Sequence, residues 1–209
     1  MLKRIVLIAL ATFGLSISGL AASAMAAPST KETAVFAGGC FWSMQKAFDH
    51  VQGVISTRAG FMGGTVKNPS YEDVTGEGTG HLEAVEVVFD PTKVTYASLL
   101  DTYWHHTDPT DPRGVICDLA PSYHTAVFTF SDAQYQAANE SKARVQAYLK
   151  KTVVTQVIKA SSVPLPFYPA EDYHQHYWKT HSLQYDSYAM GCGRSPALHK
   201  LWGKLADVP

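Results

Sequence analysis

Ala34-Val35-Phe36-Ala37-Gly38-Gly39-Cys40-Phe41-Trp42 decides how this chain folds. Ala34 to Ala37 is a short apolar run bounded by glycines, the pattern of a buried strand. Beyond Cys40, the residues Phe41, Met44, Ala47, Phe48 and Val51 recur at helical spacing to about His50. Gly38-Gly39 therefore marks a strand-to-helix turn and places Cys40 at or near a helix N-terminus. Two readings of Cys40 stand at this point. A buried cysteine is a common small core residue. A thiol at a helix N-terminus is also favoured as a thiolate by the free amides and the dipole.

The elements alternate outward from that turn. Val54 to Phe61 reads as a second strand, and Met62 to Gly80 as a long loop rich in Gly, Pro, Asn and Thr. His81 to Phe89 is a strand stopped by Asp90-Pro91. Thr95 caps a helix carrying Leu99, Leu100, Tyr103 and Trp104, and Thr107 to Ser122 is a second turn-rich loop. His124 to Phe130 is a strand. Ser131-Asp132-Ala133-Gln134 is a capping box that opens a further helix, and Val153 to Ile158 is a last strand. After Ser161 the residues show little periodicity. The order predicts an α/β (α+β) two-layer sandwich with a mixed sheet: a ferredoxin-like βαββαβ core followed by a long irregular C-terminal tail.

The N-terminus has a different character. Met1 to Arg4 is basic, an apolar run extends from Ile5 to about Leu20, and Ala24-Met25-Ala26 precedes Ala27-Pro28. That is the order of a secretory signal peptide spanning 1–26. It leaves 27–209 as one catalytic domain and predicts an exported, periplasmic protein without stable membrane contact after cleavage. Without Lys3 and Arg4, 15 Lys and Arg remain from 17, against 18 Asp and Glu. A mildly acidic balance offers no electrostatic reason for a nucleic-acid partner. A monomer is expected.

Chemistry concentrates on few residues. In the strand from His81, the residues Glu83, Val85, Val87 and Phe89 share one face, so Glu83 points with the apolar set. A carboxyl in such surroundings is held protonated and can act as a general acid. Tyr71, Asp118 and Tyr123 lie in the loops leading to strands and can hydrogen-bond a polar substrate atom. Phe41 and Trp42 form an apolar wall beside the thiol. The three cysteines, Cys40, Cys117 and Cys192, match no zinc spacing. His174 and His176 stand in an aromatic segment where stacking and hydrogen bonds account for them, and no metal is expected.

An ordered series of strings resembles one family, the A-type peptide methionine sulfoxide reductases. They are Gly39 to Trp42, Gly60 to Gly64, Asn68 to Val74, Thr79 to Val85, Asp118 with Tyr123, and Phe167 to Gln175. The resemblance implies reduction of the S epimer of methionine sulfoxide, free or in proteins. Cys40 would be the nucleophile, Phe41 and Trp42 the S-methyl pocket, Glu83 the acid, and Tyr71, Tyr123 and Asp118 its hydrogen-bonding supports. Cys40 would become a sulfenic acid and then a disulfide. The resemblance places the resolving thiol in the tail, at Cys192. Cys117, beside Asp118, and an external thiol are the rivals. A thioredoxin-type dithiol would restore the enzyme, with no cofactor. With no cysteine after Cys192, a relay through two tail cysteines is not expected. A thiol peroxidase and a methyl-thioether-binding module are the alternative functions.

Overall fold

The computed structural model describes residues 31–208. The segment read as a signal peptide, 1–26, and its cleavage site lie outside them. The described chain runs β1 (Glu32–Gly38), α1 (Phe41–Asp49), β2 (Val54–Met62), α2 (Tyr71–Thr75), β3 (Leu82–Phe89), α3 (Tyr96–His105), β4 (Thr125–Thr129) and α4 (Asp132–Leu149). It continues with β5 (Gln156–Lys159), β6 (Tyr168–Pro169), α5 (Tyr177–Thr180), α6 (Ser182–Gly191) and α7 (Arg194–Trp202).

The six strands form one mixed sheet in the order β5-β4-β1-β3-β2-β6. Only the β4–β5 pair is parallel; the other pairs are antiparallel. The inner order β4-β1-β3-β2 arises because the β1-α1-β2 crossover leaves a slot between its strands that β3 fills. This is the expected βαββαβ core, widened at one edge by β5 and at the other by β6.

Strand β1 is buried on both faces, as its unbroken apolar run predicts. Ala34 and Phe36 face the larger core, with α1, α3 and α4; Val35 and Ala37 face a smaller one with Met62, Ala84 and Phe128. Phe36 stacks on Phe48 of α1 at 4.8 Å and on Tyr103 of α3 at 5.3 Å between ring centroids. Burying such a ring contributes about 2–3 kcal/mol. The Tyr103 hydroxyl donates to Ala37 O at 2.8 Å, tying α3 to the end of β1.

The tail differs from the irregular segment expected of it: it holds α5, α6 and α7. Each of the two longer helices buries few side chains, Tyr185 on α6 and Arg194, Leu198 and Trp202 on α7. Helices that dock through isolated residues carry no apolar stripe, so periodicity could not announce them. Trp202 is the firmest anchor, its indole N–H donating to Thr107 O at 2.9 Å. A short helix, α2, also interrupts the first long loop, opened by a capping box between Ser70 and Asp73.

Gly39 makes the β1–α1 turn possible. Its φ is +81°, and a Cβ there would meet Val115 Cβ at 2.7 Å. Gly39→Ala is therefore expected to lower stability by about 2 kcal/mol through backbone strain and forced movement of Val115. Urea denaturation of the two proteins measures the difference.

Candidate active site

Cys40 is the N-cap of α1, with its carbonyl accepting from Ser43 N–H and Met44 N–H, both at 3.2 Å. Its side chain is only 6% exposed. The next amide, Phe41 N–H, donates to Glu83 Oε2 at 2.9 Å. Glu83 arrives on β3, in register with Phe61 of β2, and is 1% exposed. The alternation reading thus placed it correctly, on the same face as Val85, Val87 and Phe89. The Cys40 backbone amide lies near the Asp118 carboxylate and favours its charged form. The first amide of α1 proper is therefore occupied by a carboxyl group, with a second carboxyl group close to the N-cap.

Burial pushes the Glu83 carboxyl up to about 8, with the Asp118 charge adding to the rise and the Phe41 amide opposing it. At neutral pH it is mainly the acid. One oxygen is held by the amide and the other is left to carry the proton. Burial likewise raises Asp118, against a bond from Tyr188 and the charge of Arg194. Cys40 departs from the thiolate that its helix position suggests. Burial, then the Glu83 and Asp118 charges, push it up to about 12. Desolvation and two nearby carboxyl groups outweigh the helix end, whose first amide is spent on Glu83.

The aromatic wall forms as expected and is larger than the sequence indicated. Phe41 packs on Tyr71 at 6.2 Å and Phe61 at 5.8 Å. Trp42 stacks flat on Tyr177 at 3.9 Å and meets Tyr188 edge-on at 5.9 Å. The Trp42 indole N–H donates to His174 Nδ1 at 3.0 Å, which fixes the rotamer of the ring. His176 bonds Asp49 at 2.8 Å and takes its backbone partner from Gln45. Both histidines serve the packing and hydrogen bonding foreseen for them. Tyr71 and Tyr123 lie near each other and near Glu83, and burial raises both, Tyr71 to about 12. They remain phenols, able to donate. The sequence-derived residues Cys40, Phe41, Trp42, Tyr71, Glu83, Asp118 and Tyr123 thus come together.

The other two cysteines are joined to each other. Cys117 and Cys192 form a disulfide across 75 residues, with their Cα atoms 5.3 Å apart. The sequence set them as rivals for one role; the structure makes them a pair. Cys117 projects from a tight turn in which Val115 and Asp118 exchange both backbone bonds at 3.0 Å. Ile116 at its corner has φ +62°, rare for a β-branched residue. Cys192 caps the C-terminus of α6. Cys117 is exposed and Cys192 half-buried. The Cys117 sulfur is 3.6 Å from Asp118 Oδ1, so one carboxylate separates the buried thiol's turn from the disulfide. Two tail residues escaped the sequence reading. The Tyr188 hydroxyl donates to Asp118 Oδ2 at 2.7 Å, and buried Arg194 sets Nη1 3.8 Å from the same oxygen.

A buried thiol beside a protonated carboxyl, with a surface disulfide one carboxylate away, defines a thiol-based oxidoreductase. The comparisons narrow the class. The family model for peptide methionine sulfoxide reductase matches residues 32–206. Peptide methionine sulfoxide reductase MsrA 2 of Caulobacter vibrioides is 47% identical over 198 residues, covering 94% of this chain and 98% of that one. MsrA of Bacillus licheniformis is 43% identical over 179 residues, covering 85% and 97%. Methionine sulfoxide reductase A of Corynebacterium diphtheriae superposes with a TM-score of 0.69 at 33% identity, over 75% of this chain and 77% of that one. The chain belongs to the A-type peptide methionine sulfoxide reductase family.

Glu83 is expected to titrate in a window of its own. A raised carboxyl pKa means the proton is held below about pH 8 and lost above it. Infrared difference spectroscopy should show a protonated carboxyl stretch at pH 7 that vanishes as pH rises through that value and is absent from Glu83→Gln. The same substitution should lower sulfoxide reduction by about 10²–10⁴-fold, read as kcat/KM.

Proposed function

We propose that the protein reduces the S epimer of methionine sulfoxide, free or in proteins, and passes the oxidation from Cys40 to Cys117 and Cys192. One observation carries this reading: the only free cysteine among the described residues is buried beside a carboxylic acid, while the disulfide lies at the surface. A sulfoxide sulfur becomes electrophilic once its oxygen is hydrogen-bonded or protonated. Phe41 and Trp42 hold the S-methyl group. Glu83, aided by Tyr71 and Tyr123, gives a proton to the oxygen as the Cys40 sulfur attacks, and the thiol proton restores Glu83. Methionine leaves, and the oxygen stays on Cys40 as a sulfenic acid.

A large dithiol protein cannot reach a thiol that is 6% exposed, so the oxidation must move outward. Cys192, the inner of the paired sulfurs, condenses with the sulfenic acid to give Cys40–Cys192 and water. Cys117 then attacks Cys192, the Cys117–Cys192 bond forms, and Cys40 is released as a thiol. An external dithiol of the thioredoxin kind reduces the exposed pair by attack on Cys117. The geometry described here is that of the enzyme after this exchange. The basic, apolar and small-residue order of 1–26 supports export, and an oxidising compartment suits an enzyme whose turnover ends in a disulfide.

The relay is tested by adding one equivalent of methionine sulfoxide to the reduced enzyme without reductant and mapping disulfides by mass spectrometry. The wild type should end as Cys117–Cys192. Cys117→Ser should stop at Cys40–Cys192, and Cys192→Ser should hold the sulfenic acid, trappable with dimedone. Release of methionine by Cys40→Ser would overturn the assignment of the nucleophile. A wild-type protein that ends as a stable sulfenic acid would overturn the relay.

A further inference from the structure

The Cys117–Cys192 disulfide has a second pairing directly beside it. On the loop, Cys117 is followed by Asp118. On α6, Tyr188 precedes Cys192 by one turn, and the Cys192 N–H donates to Tyr188 O at 2.8 Å. Residues four apart lie on one helix face. Two adjacent loop residues thus meet two residues of one helical face: Cys117 with Cys192, and Asp118 with Tyr188 at 2.7 Å. The Tyr188 hydroxyl also lies near the Cys40 sulfur and favours its thiolate form, and the Tyr188 ring stands edge-on to Trp42. Burial, with the charges of Cys40 and Asp118, raises the phenol well above its ordinary value, so it remains a donor.

We propose that Tyr188 is a further catalytic residue, which donates a hydrogen bond to the Cys40 sulfur as that sulfur departs during the exchange that forms Cys117–Cys192. The proposal rests on the relay described above. In that step the Cys117 thiolate attacks the Cys192 sulfur of the Cys40–Cys192 bond. The Cys117–Cys192 bond forms, the Cys40–Cys192 bond breaks, and its electron pair leaves on Cys40. The proton given up by Cys117 ends on Cys40, so no outside reactant is needed.

A leaving thiolate slows exchange when its environment opposes its charge, and this environment does so. Cys40 is buried, with Glu83 and Asp118 beside it. Of the donors that a helix N-terminus ordinarily offers, Phe41 N–H is already engaged by Glu83, and the Cys40 amide lies near Asp118. Arg194 spends Nη2 on His106 O at 3.1 Å, and its Nη1, 3.8 Å from Asp118 Oδ2, is paired by charge with that carboxylate and not by a hydrogen bond. Tyr71 and Tyr123 lie together beside Glu83. Tyr188 is the donor that the closing of α6 brings to the sulfur, and it comes on the same helical face as the cysteine being closed upon. Its lone pair and proton can serve both neighbours: Asp118 orients the hydroxyl in the finished state, and the sulfur claims it while charged.

The test compares wild type and Tyr188→Phe, both fully reduced, given one equivalent of methionine sulfoxide without external dithiol. Samples are quenched in acid, alkylated and mapped by mass spectrometry against time, with methionine measured alongside. In Tyr188→Phe the conversion of Cys40–Cys192 to Cys117–Cys192 should slow by roughly tenfold or more, with the mixed disulfide accumulating, while methionine release slows by less than about threefold. The methionine burst itself reports that the variant is folded. Conversion within about threefold of wild type would overturn the role of Tyr188 and leave the relay standing. If the wild type never passes through Cys40–Cys192, the relay fails and the role of Tyr188 fails with it.

Discussion

The first turn of α1 sits between two carboxyl groups, Glu83, bonded by the Phe41 amide, and Asp118, beside Cys40. Most of the site follows from that constraint. A helix N-terminus stabilises negative charge, and here two acids from different elements compete for it with the thiol between them. Glu83 is brought by β3 and Asp118 by the loop before β4, so the sheet order that seats β3 between β1 and β2 also fixes the acid against the nucleophile. The cost is a thiol that does not ionise by itself. The gain is an acid that keeps its proton at neutral pH. For attack on a sulfoxide the second is as necessary as the first, because the sulfur yields only when its oxygen is held or protonated.

Asp118 links the chemistry to its resetting. Its carboxylate accepts from the Tyr188 hydroxyl, stands near the Cys40 amide and the Arg194 guanidinium, and follows Cys117 in the chain. Tyr188 and Arg194 flank Cys192 on either side of the α6–α7 junction. The segment that carries the second sulfur therefore brings its own hydroxyl and its own cation to the same carboxylate. Helix α6 buries only Tyr185, so it can shift at less cost in core burial than α7, which Leu198 and Trp202 anchor in the core. A tail built this way suits a sulfur that has to visit two partners.

How much of this was legible in the sequence depended on whether neighbours in space were also patterned along the chain. The turn at Gly38-Gly39, the burial of β1 and the inward direction of Glu83 follow from periodicities of two and 3.6, and all three stand in the structure. The aromatic pair Phe41-Trp42 was readable for the same reason. The remainder depends on single contacts between distant segments. Tyr188 meets Asp118 across 70 residues and His174 meets Trp42 across 132. Neither contact has a local signature. The disulfide was hidden by the left-handed corner at Ile116, where nothing in the residue type suggests a tight turn. Without that corner Cys117 belongs to a loop of unknown direction, and treating it as a competitor of Cys192 was the natural reading.

The two cysteines outside α1 are unequal, and in the proposed relay that inequality gives the transfer a direction. Cys192 ends a half-buried helix face that also carries Tyr188, the residue in contact with the Cys40 site. Cys117 projects outward from a turn locked by reciprocal backbone bonds. A sulfur on a weakly docked helix can reach inward, while one on a rigid exposed turn can be reached from outside. If both lay on the tail, one motion would withdraw them together from Cys40 and from solvent alike. With one on each side, closing the tail onto the turn completes the exchange, and the closed state returns the reduced Cys40 to its acid while presenting the oxidised pair to the reductant.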